Sequence, residues 1–138
     1  MPIRFDSGVK KYDYTHPAAE KIKAAVPNCE VQVYDIDDEV QFKTELDSAD
    51  IFVNATIVGM KPMDDQSIIK DVSWFRAELV VADIVYNPEE TMLLKKAKAA
   101  GCETQNGLNM LLYQGEAAFR IWTGLDMPIE PIREKFFK

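Results

Sequence analysis

Hydrophobic and polar positions along this chain fall in blocks that switch between the period of a strand and the period of a helix. Met1-Pro2-Ile3-Arg4-Phe5 reads as a short strand, and Asp6 to Tyr14 as a polar loop. A helix is predicted from Pro17, a residue suited to the first helical position, through Ile22 to about Val26, where Pro27-Asn28 breaks it. Glu30 to Ile36 alternates, with Val31 and Val33 on one face and Tyr34 and Ile36 on the other, which predicts a strand. Asp37 or Asp38 caps the next helix, whose apolar face is Phe42, Leu46 and Ala49. Ile51-Phe52-Val53 is a continuous apolar run, the pattern of a strand covered on both faces.

A second and longer apolar run spans Leu79 to Val85. Asn87-Pro88-Glu89-Glu90 then offers a capping residue, a first-position proline and two early carboxylates, so a helix is predicted to begin there. That helix holds Leu93, Leu94 and Ala97, carries Lys95, Lys96 and Lys98 toward its negative end, and stops at Gly101. Glu103 to Asn106 reads as a short strand. The longest helix follows Gly107, with Leu108, Leu111, Leu112, Gly115, Ala118, Phe119 and Trp122 on one stripe, and Gly124 closes it. Pro128 to Phe137 predicts a short final helix. Near-continuous apolar strands separated by helices indicate an α/β fold: a Rossmann-like parallel sheet with helices on both faces, in one domain covering residues 1–138.

Charge and composition narrow the function classes. The 138 residues carry 16 Lys and Arg against 23 Asp and Glu, so 16 − 23 gives −7, and 47% are apolar. With no basic patch to neutralise phosphates, nucleic acid is not an expected partner. No apolar run approaches the roughly 18–20 residues of a membrane span, and the N-terminus has no signal-peptide pattern, so a cytoplasmic protein is expected. Cys29 and Cys102 show neither metal-ligand spacing nor a C-x-x-C pair.

Single residues that could carry chemistry have plainer readings. His16, directly before Pro17, reads as a helix-entry surface residue, and neither cysteine has a neighbouring His to activate it. Asp35, Asp37 and Asp38 read as a solvated strand end rather than a metal site. No two of the six glycines are separated by a single residue, so a G-x-G pyrophosphate turn cannot form. Three segments nevertheless interrupt the core pattern where a ligand crevice belongs, beyond the carboxyl ends of strands. They are Asn54-Ala55-Thr56-Ile57-Val58-Gly59-Met60, Asp83-Ile84-Val85-Tyr86-Asn87-Pro88, and Gly107-Leu108-Asn109-Met110-Leu111-Leu112-Tyr113-Gln114-Gly115. Met110 and Gln114 are one turn apart on the same helix edge.

These segments, with Ala49-Asp50-Ile51 before them and Thr91, Leu93-Leu94, Phe119 and Trp122-Thr123-Gly124 among them, resemble the shikimate and quinate dehydrogenase family in order and spacing. The likeness runs from about Asp47 to Phe137, and more weakly back to His16. It implies an NAD- or NADP-dependent oxidoreductase that reversibly oxidises a ring hydroxyl of shikimate or quinate, a reaction of aromatic amino acid biosynthesis. By resemblance, Tyr86 and Gln114 face the substrate, while Asn54, Thr56, Gly107, Met110 and Leu111 line the nicotinamide side of the cofactor. Lys61 after Gly59-Met60 is similar to the family's variant branch.

The departures from the family are large. Its members carry an N-terminal substrate domain with a catalytic lysine and aspartate in Asn-Val-Thr-type and Asn-Thr-Asp-type motifs, and neither motif occurs here. The first strand with its glycine-rich loop is also missing, and Ile3-Arg4-Phe5 stands where the second strand would. No catalytic residue is therefore assigned, no turnover by the isolated chain is expected, and cofactor binding is expected to be weak or absent. The competing reading is a non-catalytic remnant or interaction module; an unrelated receiver-like domain would need a phospho-acceptor arrangement that Asp35 to Asp38 only imitates. A missing central strand leaves the edge of Ile51-Phe52-Val53 open, because the segment lacks the Lys, Pro or bulge that protects edges. The first strand can slide over to pair with it, or two copies can cover each other. A homodimer is the expected outcome, with a separately encoded N-terminal substrate domain as the other partner considered.

Overall fold

The computed structural model describes residues 3–6 and 15–136, which form two compact units, Met1–Ser48 and Ala49–Lys138. In the first unit β1 (Ile3–Asp6) is followed by α1 (Thr15–Ala25), β2 (Val31–Tyr34) and α2 (Glu39–Ser48). β1 and β2 pair in parallel, with Ile3 opposite Val31 and Asp6 opposite Tyr34, and α1 packs on them as the crossover. Ala19, Val31 and Leu46 are buried. The Asp38 carboxylate accepts the Gln41 N–H at 3.0 Å, so of the two candidate caps for α2 it is Asp38 that serves. The pairing of β1 with β2 is the one a second strand makes beside a third. The ladder described for β1 is the one with β2.

The second unit is a parallel three-stranded sheet flanked by helices, in the spatial order β3 (Ile51–Asn54), β4 (Val80–Asp83), β5 (Glu103–Gln105). Its helices are α3 (Met92–Ala99), α4 (Leu108–Thr123) and α5 (Ile129–Phe136), and a single 3₁₀ turn spans Val72–Trp74. The register sets Ile51 opposite Val80, Phe52 opposite Val81 and Asn54 opposite Asp83. α3 packs on β4 and β5, and its Leu93, Leu94 and Ala97 close over Val81 and Leu79 in a core that also takes Ile69, Phe75, Val85 and Leu112.

Three local expectations need correction. α3 begins at Met92 rather than beside Pro88, because Thr91 and not Asn87 is the cap: its hydroxyl accepts the Leu94 N–H at 3.4 Å. β3 is not covered on both faces. It is the edge of its sheet, and Ile51 and Val53 are 48% and 53% exposed while Asn54, on the other face, is buried. Finally, α4 forms as its periodicity predicts and ends at Gly124 with φ 70°, yet of its apolar stripe only Leu112 is buried and Trp122 is 82% exposed. Periodicity shows that a face is apolar; it does not supply the surface that covers it.

Candidate functional site

Three neighbouring parallel strands end together, so the segments that follow β3, β4 and β5 leave the sheet side by side. Buried polar groups tie them. Asn54, 1% exposed, closes β3, and its side-chain amide donates to the Val58 carbonyl at 3.0 Å and to Asp83 Oδ1 at 3.1 Å. Its carbonyl oxygen accepts the Thr56 N–H at 3.1 Å and the Thr56 hydroxyl at 2.7 Å. Two donors and two acceptor positions exhaust what an amide side chain offers. Thr56 Oγ1 in turn accepts the Val58 N–H at 3.1 Å. The loop after β3 is thus wound around one side chain.

Asp83 ends β4 and is the second node. Its Oδ1 also accepts the Val85 N–H at 3.0 Å, and its Oδ2 accepts the Thr91 hydroxyl at 2.7 Å. Asn54, Asp83 and Thr91 are all essentially inaccessible to solvent. A buried carboxylate is tolerable only where donors replace its water, and here three do. Gly59 fits against this cluster with φ 103°, and a Cβ there would stand 3.1 Å from Thr91 Cγ2. Asp83 and Thr91 were not singled out by sequence as site residues. The signal for Asp83 was present: one carboxylate inside the apolar run from Leu79 to Val85 must be satisfied by something.

The third segment joins through backbone. The Gly107 N–H donates to the Val85 carbonyl at 3.0 Å, and the Gly107 carbonyl accepts the Leu111 N–H at 3.0 Å as α4 begins. A Cβ on Gly107 would lie 2.0 Å from the Ile84 carbonyl oxygen. The start of α4 is therefore pressed against the end of β4, a position open only to glycine.

Around this buried hub the residues singled out by sequence separate into two groups. Asn54 and Gly107 are interior and hold the scaffold. Tyr86 at 43% and Met110 at 50% exposed, with exposed Gln114 and half-buried Thr56 and Leu111, are the accessible members, referred to as the rim, on the segments that follow the strand ends. A separate shallow recess of about 440 Å³ lies between Glu89, Glu90, Leu94, Lys98, Thr104, Gln105 and Asn106; none of the rim residues lines it.

The two cysteines stand apart from this cluster. Burial pushes the Cys102 thiol above its ordinary range, against a smaller opposing pull from Arg76, and its Sγ donates to the Arg76 carbonyl at 3.2 Å. Since the thiolate is the reactive form, Cys29, which is only partly covered, is expected to be alkylated by iodoacetamide at neutral pH at least about tenfold faster than Cys102. Peptide mapping by mass spectrometry reads the two rates, and equal labelling in the folded protein would contradict it.

Strand order, parallel register and a strand-end cluster define a Rossmann-like α/β protein. The model of the shikimate 5'-dehydrogenase C-terminal domain matches residues 107–135. Shikimate dehydrogenase (NADP(+)) of Listeria innocua is 42% identical over 126 residues, which is 91% of this chain and 43% of that protein. The structure of shikimate 5-dehydrogenase from Listeria monocytogenes in complex with shikimate and NAD superposes with a TM-score of 0.82 at 34% identity, covering 96% of this chain and 54% of that one. Quinate dehydrogenase from Corynebacterium glutamicum in complex with NAD gives a TM-score of 0.80 at 29% identity, covering 99% and 54%. The chain is thus similar to the C-terminal part of shikimate dehydrogenases. It spans less than half the length of the curated relative. Among the described residues no helix is long and apolar enough to cross a membrane.

Proposed function

We propose that this chain is the cofactor-side part of a shikimate- or quinate-type dehydrogenase, with Tyr86 and Gln114 toward the substrate and Thr56, Met110 and Leu111 along the nicotinamide. The observation that carries this reading is the 42% identity to a shikimate dehydrogenase over 91% of the chain. A nicotinamide dinucleotide, when bound, supplies the hydride acceptor. The residues here fit one end of it: Met110 and Leu111 offer an apolar wall, and the Gly107 N–H held by Val85 keeps the start of α4 close behind. They do not fit the pyrophosphate, because no G-x-G turn stands among these 138 residues. What the chain's own residues do is therefore limited. The Asn54–Asp83–Thr91 hub fixes the loops, and the rim orients what lies on it. Orientation alone can supply much of a rate enhancement, but proton transfer needs an acid/base pair that these residues do not offer.

Two measurements test the reading. The isolated chain is expected to oxidise neither shikimate nor quinate with NAD or NADP above background, and to bind either dinucleotide no tighter than about millimolar by calorimetry. Grafted in place of the matched segment of the Listeria innocua enzyme, it is expected to support shikimate oxidation. In that chimera Tyr86→Phe or Gln114→Ala lowers kcat/KM by roughly 5- to 100-fold, the worth of one substrate hydrogen bond. A folded chimera that is inactive, or one in which both substitutions are silent, would refute the assignment of these two residues. Turnover by the isolated chain that is lost on Tyr86→Phe would refute its dependence on the rest of the enzyme.

A further inference from the structure

Tyr86 and Gln114 belong to different elements, the loop after β4 and the second turn of α4, so something must fix one relative to the other. In Tyr86-Asn87-Pro88 the first two residues are exposed, and among the described residues none of the three makes a hydrogen bond of its own. The loop is held by its ends. At its start the Val85 carbonyl accepts the Gly107 N–H at 3.0 Å, and at its end the Glu89 carbonyl accepts from the Asn106 side-chain amide at 3.1 Å. Two consecutive residues of the segment between β5 and α4 therefore bracket the loop. The same Asn106 side chain turns its Oδ1 to the N–H of Leu108, the first residue of α4, at 3.3 Å. Gly107, at the capping position, has no side chain to offer, so Asn106 supplies the acceptor that this helix-end N–H needs.

One side chain thus turns its donor to the loop that carries Tyr86 and its acceptor to the helix that carries Gln114. We propose that Asn106 is a positioning residue: its amide clamps the Tyr86 loop to the start of α4 and so sets the spacing of the two groups that the dehydrogenase reading turns toward substrate. The clamp stands on the geometry, and its consequence for substrate rests on that reading. Asn106 acts through Tyr86 and Gln114 rather than by contact. With Glu89 it lines the separate recess, which no rim residue shares. Asn106 is only half-buried and Glu89 is exposed, so the bond between them carries little of the overall stability. Orientation is far more sensitive, since a displacement of about 1 Å at a reacting group can cost about 100-fold in rate.

Asn106→Ser separates the two bonds. A serine hydroxyl still accepts the N–H two residues on, but it is too short to reach the Glu89 carbonyl. By ¹⁵N relaxation on the full chain, Asn106→Ser is expected to lower the order parameters of Tyr86 and Glu89 from about 0.85 to below about 0.6, while that of Leu108 holds. In the chimera with the Listeria innocua enzyme it is expected to lower kcat/KM for shikimate by about 3- to 30-fold. The KM for NADP should stay within about twofold, because the start of α4 keeps its cap. Asn106→Ser combined with Tyr86→Phe should lie within about twofold of the more impaired single variant, since one acts through the other. Unchanged order at Tyr86 and Glu89 overturns the proposal, as does a double variant whose losses multiply in full. An equal rise in KM for shikimate and for NADP overturns it too, because a general loosening of the fold would produce that. If Tyr86→Phe is silent while the loop loses its order, the substrate assignment of Tyr86 falls and the clamp stands. The order parameters need no turnover, so the clamp can fail while the chimera succeeds, or the reverse.

Discussion

Gly107→Ala is expected to cost about 4 kcal/mol or more, enough to unfold much of the second unit. The added methyl would stand 2.0 Å from the Ile84 carbonyl oxygen and 2.5 Å from its carbon, and both belong to backbone, which no rotamer change can move aside. Relief requires α4 to back away from the end of β4, which breaks the Gly107 N–H to Val85 carbonyl bond of 3.0 Å and loosens Leu112 in the core. Gly115→Ala is the matched control. Gly115 lies in the interior of the same helix with nothing within 4 Å of the added atom, so the exchange recovers roughly 0.5–1 kcal/mol of helix propensity. Urea denaturation of the two variants should therefore move in opposite directions. If Gly107→Ala lay within 1 kcal/mol of the parent, the close approach of α4 to β4 would be wrong.

What sequence could and could not reveal follows from the range of the interactions involved. Elements dictated by neighbouring residues were legible: β1, β2, β4, β5 and the ends of α4 follow from alternation, apolar runs and Gly124 at φ 70°. The start of α3 was misplaced because Asn87-Pro88-Glu89-Glu90 satisfies every local rule for a helix N-terminus. What moves the start is Asp83, eight residues upstream of Thr91, which fixes the Thr91 hydroxyl where it can cap Leu94. The exposure of Ile51 and Val53 was hidden for a related reason. An apolar run shows what a strand prefers, whereas its position at the edge is a property of sheet order. Of the candidate site, the rim residues were chosen through their spacing in family-like segments. The hub that holds them was only half seen, since Asn54, Asp83 and Thr91 meet across up to 37 positions of sequence by way of two strands and a helix cap.

That hub makes the second large prediction. Asp83→Ala removes the acceptor of three donors at once: the Val85 N–H, the Asn54 amide and the Thr91 hydroxyl. All are buried, and each unsatisfied group costs about 1–3 kcal/mol, so a loss of about 3–9 kcal/mol is expected, comparable to the whole stability of a small domain. Asp83→Asn should cost less, about 1–2 kcal/mol, because its oxygen still accepts from Val85 and Asn54 while its NH₂ can donate to the Thr91 oxygen. Thr91→Val keeps the shape but removes both the hydroxyl donor to Asp83 and the cap on Leu94. Since the two side chains share one bond, the double variant Asp83→Ala with Thr91→Val should fall short of the sum of the singles by roughly 0.5–3 kcal/mol. Amide exchange adds a local reading: the Leu94 N–H, protected by the Thr91 cap, should open in Thr91→Val before the β4 amides do. Strict additivity of the two substitutions, or an Asp83→Ala variant as stable as the parent, would mean that the buried carboxylate does not hold the strand-end loops together. The rim of Thr56, Tyr86 and Met110 would then have to owe its placement to packing alone.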